Sequence, residues 1–451
     1  MSTESRPQWG SRLGFVLAAA GSAVGLGSVW RFPWYVGKNG GAAFVIIYLV
    51  CVLMVGIPVQ WLELSLGRRT GKNPVGAYGM ASGGRSAWKM VGYLGLIVGI
   101  VILSYYSVVA GWTAGYIVLG AGGDLMSESV SSADIFKEFT HSPWQQVGYL
   151  VLFMGLSVAV VWGGVKSGIE RVTTVLMPIL VLLMLGLIVR AVTLPQAGAG
   201  LEFYLDPKFS EVTGHTVMLA LGQAFYAMSL GMGAMLTYGS YLDKKEDLAQ
   251  SGLQVALFVT LIALMAGFIV FPVIGGAPKY QGPGLVFVAL VDIFRPVGGV
   301  LFLLLLGLAA LPSSVSLVGV VTAYLIDEHG WSRKKSVLIT GLVSAAVGIP
   351  SALSLGASKT LSHVVTMGGQ KMGFLDLMDF FFGNLFLCLG VFLLCIFAAT
   401  RWGMDEPIDE IGRNSKLFPP LVRFWRISVL YLAPLAISWI LVYMITSGKT
   451  L

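Results

Sequence analysis

The stretch GSAVGLGS at 21–28 lies in the middle of an apolar run that begins at Leu13 and would otherwise form one helix. Each glycine there lowers helix propensity by about 1 kcal/mol relative to alanine. With Gly21, Gly25 and Gly27 so close together, the run reads as two half-helices. A second cluster, SLGMG at 229–233, interrupts another apolar run five spans later. Gly21 and Gly25 alone would fit a close helix–helix contact. Two clusters at corresponding places instead predict two five-helix halves with a binding site at the midplane.

Outward from these breaks, the composition is that of a membrane domain. The 451 residues are 56% hydrophobic and 11% charged, where a soluble domain carries about 25% charge. Runs reaching about 20 apolar residues are long enough to cross a bilayer. Eleven spans are predicted, near 13–37, 42–66, 91–121, 147–165, 171–193, 214–241, 250–275, 299–326, 336–351, 375–399 and 419–446. The segment 276–298, with Pro278, Pro283 and Pro296, reads as a re-entrant or capping loop. The first apolar segment runs on past any cleavage pattern, so it reads as a retained span. The expectation is an all-α membrane protein, one domain over 1–451, with about eleven transmembrane helices in a 5+5 inverted repeat. Residues 1–193 form the first repeat, 214–400 the second and 419–446 an additional helix, with helices 1 and 6 broken near the midplane.

Arg68, Arg69, Lys72, Arg85 and Lys89 follow span 2, and Arg333, Lys334 and Lys335 follow span 8. Asp124, Glu128, Asp134 and Glu138 follow span 3, against Lys137 alone. The positive-inside rule then puts the N-terminus in the cytoplasm of a plasma (inner) membrane protein. The net charge of +7 sits at helix ends and carries no nucleic-acid signal. Cys51, Cys388 and Cys395 lie inside apolar runs and read as small buried hydrophobes. His141, His215, His329 and His363 are scattered, and HExxH, GxSxG and phosphate-loop motifs are absent, so nothing suggests an enzyme. A channel would need rings of like residues from a symmetric pore; two breaks between charged ends suit an occluding carrier better.

WGSRLGFVLAAAGSAVGLGSVWRFPWYVGKNGGAAF (9–44) resembles the signature of the neurotransmitter:sodium symporters, bacterial branch. GQAFYAMSLGMGAMLTYGSYL (222–242), AALPSSVSLVGVVTAYLIDE (309–328) and DLMDFFFG (376–383) are similar to later helices of that family. The resemblance implies the fold named after the bacterial leucine transporter, with alternating access around a midplane site. Independently, a broken helix leaves backbone groups that need a ligand or an ion. The start of the second half of span 1, near Leu26 and Gly27, offers N–H donors and positive dipole to a carboxylate. By resemblance, Tyr106 also reaches that carboxylate, and the carbonyls of Ala23, Tyr226 and Ala227 receive an ammonium. Ile102, Tyr226, Ser229, Met232, Ser313 and Leu317 then wall the side-chain pocket, although ordinary helix packing would account for them equally well without the resemblance. The expected partner is a small molecule, an amino acid or related amine-bearing solute, together with the lipid bilayer; the oligomeric state is not legible.

The resemblance also implies gates. Arg31 and Asp379 correspond to the outer ion pair, under an aromatic lid of Tyr106 and Tyr226. Arg6 and Asp327 correspond to the inner pair, braced by Trp9 and Tyr241. Charges at such depth rarely occur without a partner. Glu63 would be a structural acceptor for orphan N–H groups of the broken helices, not a proton carrier.

The expected ion is Na⁺, and here the chain departs from its family. At the first sodium site the side-chain donors align with Ser28, Ala227 and Val259, the last flanked by Thr260, so two of three are hydrocarbon. The second site keeps the carbonyls of Gly21, Val24 and Ala309 and the hydroxyl of Ser313, but has Pro312 in place of a Thr or Asp. Proline frees the carbonyl four residues earlier, at Leu308. At the chloride position Tyr48 and Gln223 match, while Ala227 and Ala263 lack hydroxyls. Three readings stay open: a symporter using the second sodium site only, a sodium-independent (proton-coupled or facilitative) carrier, and a transporter of solutes lacking an α-carboxylate or a substrate-binding sensor.

Overall fold

The computed structural model describes residues 7–123, 125, 131–277, 284–291 and 297–449. Arg6, Asp124, Glu128, Pro278, Pro283 and Pro296 lie outside them. Among the described residues, nine helices are long and apolar enough to cross a membrane. They are Ala42–Thr70, Ala87–Gly122, Pro143–Trp162, Val165–Val192, Leu248–Ile274, Gly299–His329, Arg333–Leu353, Phe374–Trp402 and Pro419–Ser447. Each falls on a predicted span. Span 1 is a bent pair, Arg12–Ala23 and Gly27–Lys38, with a 60° angle between its halves. Span 6 is split into Gly214–Ala227 and Ala234–Gly239, neither long enough to cross alone.

The breaks have local causes. At Val24 the backbone turns extended (φ −77°, ψ 102°), and Gly27–Arg31 resumes as a wide π-type turn. In span 6, Ser229, Gly231 and Gly233 all have positive φ, at 52°, 82° and 75°. Three left-handed residues in five cannot belong to a right-handed helix. Gly231 is also pressed against the Leu387 carbonyl of span 10, where a Cβ would collide. Ser229 lacks the glycine exemption, and such backbone strain in a non-glycine residue marks functional sites. Its hydroxyl donates to the Ser22 carbonyl at 3.1 Å, tying one break to the other.

Burial separates the inner helices from the outer ones. The most apolar window of span 3 is 83% buried, whereas those of spans 5 and 11 are 28% buried and leave their remaining faces exposed. Arg12–Ala23 and both halves of span 6 are buried almost throughout, so spans 1, 3, 6 and 8 frame the centre. In the described part of the 276–298 segment a buried helical turn, Leu285–Leu290, inserts Phe287 among Trp112, Tyr116 and Phe136. Short elements that hydropathy does not foresee complete the connections. The hairpin Val365–Met367/Gln370–Met372 precedes span 10, and the helix Asp405–Gly412 follows it.

Candidate functional site

The two breaks and the middles of spans 3 and 8 enclose a cavity lined by Ser22, Ala23, Gly25, Gly27, Ile102, Tyr106, Tyr226, Ser229, Met232, Ser313, Ser316 and Leu317. Nine of the residues expected to bind substrate are among them. Leu26 and Ala227 are buried just behind. Leu26 takes part through its backbone, donating its N–H to the Tyr106 hydroxyl at 3.2 Å. That leaves the phenolic O–H of Tyr106 able to donate onward. No lining residue carries a charged side chain, so a zwitterion must be met by backbone dipoles and hydroxyls. The space is small, about 30 Å³.

Beside the cavity, the Ser313 hydroxyl donates to the carbonyls of Gly21 at 3.2 Å and Val24 at 3.1 Å. Three of the four expected oxygens of the second sodium site thus converge across spans 1 and 8. Ala309, the fourth, lies one turn before Ser313 in the same helix and is fully buried. An all-oxygen donor set of this kind suits a hard cation. The first site is poorer. The Ser28 hydroxyl is buried and finds no hydrogen-bond partner, but Ala227 and Val259 are buried hydrocarbon. The chloride position has the same character: the Tyr48 hydroxyl and Gln223 Oε1 are buried without partners, and Ala227 and Ala263 add no donor.

Arg31 caps the cavity from one end. Its guanidinium lies 4.7 Å from the centre of the Tyr226 ring and donates to the Tyr35 hydroxyl at 2.9 Å. It does not touch Asp379 directly. Asn384 stands between them, accepting from Arg31 Nη2 at 2.6 Å and donating to Asp379 Oδ2 at 3.2 Å. Tyr105, the neighbour of the expected Tyr106, donates to Asp379 Oδ1 at 3.0 Å. At the opposite end, Trp9 N donates to the Tyr241 carbonyl at 3.2 Å and Trp9 Nε1 to the Tyr238 carbonyl at 3.0 Å. Asp327 Oδ2 accepts from Asn73 N at 2.9 Å. The expected inner pair cannot be followed further, because Arg6 is outside the described residues.

A family model, the sodium:neurotransmitter symporter family, matches residues 6–133 and 126–451. The chain belongs to this family. An uncharacterized sodium-dependent transporter of Bacillus subtilis is 36% identical over 445 residues, 97% of each chain. One from Haemophilus influenzae is 33% identical over 454 residues, also 97% of each. The crystal structure of MhsT in complex with L-phenylalanine superposes with a TM-score of 0.88 at 38% identity, covering 99% of this chain and 100% of that one. The fold is therefore that of a sodium:neurotransmitter symporter, and the family is one of membrane transporters rather than enzymes.

Several residues that organise this symporter gave no signal in the sequence. Ser22 and Ser316 are ordinary small residues in apolar helices, yet their hydroxyls meet at 2.7 Å in the cavity wall. Asn384 directly follows the DLMDFFFG motif and could have been suspected as the first polar residue after Asp379. Glu170 holds the start of span 1, accepting from Gly10 N at 2.6 Å and the Ser11 hydroxyl at 3.2 Å. Arg68, counted from sequence as a loop charge, is instead fully buried with Glu410, at 2.6 Å. Glu63 accepts from Gly231 N at 2.7 Å, the acceptor role at the span 6 break that was expected of it.

Proposed function

We propose that this chain carries a neutral amino acid across the plasma membrane by alternating access, coupled to Na⁺ through the second sodium site only. The observation that carries the reading is the convergence of Gly21 O, Val24 O and Ser313 Oγ directly beside a cavity with no charged side chain. Leu26 and Gly27 begin the second half of span 1, whose N-terminal dipole favours a carboxylate. Tyr106 adds a hydroxyl donor at the same point. The carbonyls of Ala23 and Ala227, released by the breaks, and that of Tyr226, which also accepts from Ser229 N at 3.1 Å, serve the ammonium. When bound, Na⁺ supplies a positive charge that locks spans 1 and 8 together and whose inward movement across 100 mV is worth about 2.3 kcal/mol. Pro312 leaves the Leu308 carbonyl without its helical donor, and this oxygen replaces the missing family hydroxyl.

Halves 1–193 and 214–400 then move as the two repeats, with the N-terminus in the cytoplasm. Arg31, Asn384 and Asp379 close one entrance; Trp9, Tyr241, Asp327 and Arg6 close the other. The test is uptake into proteoliposomes with Na⁺ replaced by K⁺ or choline. Saturable uptake that requires Na⁺ and shows counterflow supports the reading; equal uptake in choline rejects sodium coupling. A sodium-independent carrier is the second reading, favoured by the hydrocarbon at Ala227 and Val259. Uptake that follows an imposed proton gradient instead would establish it.

A further inference from the structure

The floor of the cavity has a chemistry that the amino-acid reading leaves unused. Ser22 and Ser316 sit on antiparallel spans 1 and 8, each one turn from the Tyr106–Ser313 level toward the end of the bundle that holds Trp9. The Ser22 hydroxyl donates to Ser316 Oγ at 2.7 Å, and Ser316 donates to the Ser313 carbonyl at 2.8 Å. Ser229 closes the group by donating to the Ser22 carbonyl at 3.1 Å. Every hydroxyl proton of the three is thus committed to protein, while lone pairs on Ser22 Oγ and Ser229 Oγ stay uncommitted. Such a floor accepts hydrogen bonds and offers none.

Serine contacts between helices also occur without a cavity. Ser157 and Ser314 meet at 2.6 Å, and neither lines this space. Ser22, Ser229 and Ser316 differ because all three do. The walls beside them are Ile102, Met232 and Leu317, and a charged side chain finds no counter-charge there.

We infer that the substrate is a neutral amino acid whose side chain donates a hydrogen bond, serine being the simplest, and that Ser22 and Ser229 accept that bond. This rests on the amino-acid carrier reading above. Serine and alanine share the same ammonium and carboxylate, so their comparison isolates the floor. Because the floor hydroxyls already pair with protein, alanine strands no buried donor. The preference therefore reflects one added hydrogen bond, about fivefold, and not the far larger discrimination of a site that would be left unsatisfied.

The experiment measures binding of serine, alanine, leucine and phenylalanine to the purified full-length chain by competition and thermal shift. Serine should bind about fivefold more tightly than alanine. Ser22→Ala combined with Ser229→Ala removes both accepting oxygens and should bring the serine-to-alanine affinity ratio to about one while alanine binding is kept. Equal binding of serine and alanine by the parent protein would overturn the inference while leaving the amino-acid carrier standing. An unchanged ratio in the double variant would also overturn it and mark the hydroxyls as helix packing only. Failure of all four amino acids to bind would overturn the carrier reading and this one together.

Discussion

Ser313 Oγ lies 3.1 Å from the Val24 carbonyl, joining span 8 to the very residue at which span 1 leaves its helix. The same hydroxyl reaches Gly21 O at 3.2 Å, so one side chain reads both carbonyls of the break. Ser313→Ala removes this link and one of the few cation donors. A rise in thermal midpoint on adding Na⁺, relative to choline, is expected for the parent protein and not for the variant. A Ser313→Ala protein stabilised by Na⁺ as strongly as the parent would remove the second site from the mechanism.

Asn384 relays Arg31 to Asp379. Hydrogen bonds to charged groups are worth about 1.5–3 kcal/mol, so Asn384→Ala is expected to slow initial uptake roughly tenfold or more. Tyr105→Phe, which deletes a single donor to Asp379, should have the smaller effect. Equal rates for Asn384→Ala and parent would show that closure at this end does not need the relay.

Glu63 receives the Gly231 N–H at 2.7 Å. Glu63→Ala leaves that donor buried and unmet, at a cost of about 1–3 kcal/mol. Glu63→Gln keeps an acceptor in place. Thermal unfolding should therefore rank the three as parent, then Gln, then Ala, with the Gln variant much nearer the parent. A Gln variant as unstable as Ala would mean that charge, not acceptor capacity, is what the break requires.

Arg68 and Glu410 form an ion pair with both side chains fully buried. Arg68 also donates to the Glu246 carbonyl at 2.7 Å and to the Glu410 carbonyl, so it joins span 2, the connection after span 6 and the helix after span 10. Removing one partner of such a pair costs about 3–5 kcal/mol, because the other charge is left buried. Arg68→Met and Glu410→Leu should each lower the thermal midpoint sharply, and the double variant should lose less than the sum of the two. Strict additivity would contradict direct coupling.

How much of this was readable in advance depended on range. The glycine breaks were legible because helix propensity is a local property, and GSAVGLGS and SLGMG violate it inside runs that hydropathy makes helical. Ser313, Arg31 and Trp9 came from long motifs shared with a family, and Tyr106 from the same resemblance in the short stretch SYYS at 104–107. Asn384 was not singled out because its role depends on two charges, one of them on span 1, meeting at one point. Arg68 was read as a loop charge because nothing near it in sequence signals Glu410, which lies 342 residues away. The hairpin at 365–372 and the helix at 405–412 are too short for a hydropathy window to detect.

The sequence by itself determined that this chain is a multi-span helical membrane protein with two interrupted helices, since composition, hydropathic run length and glycine placement act locally along the chain. Only the tertiary structure decided which polar atoms share the resulting space. It put Ser22 against Ser316, inserted Asn384 between Arg31 and Asp379, and turned Ser313 toward the carbonyls of Gly21 and Val24. Hydrogen bonding acts over about 3 Å between atoms, and no distance along the chain encodes which residues of separate helices will come that close.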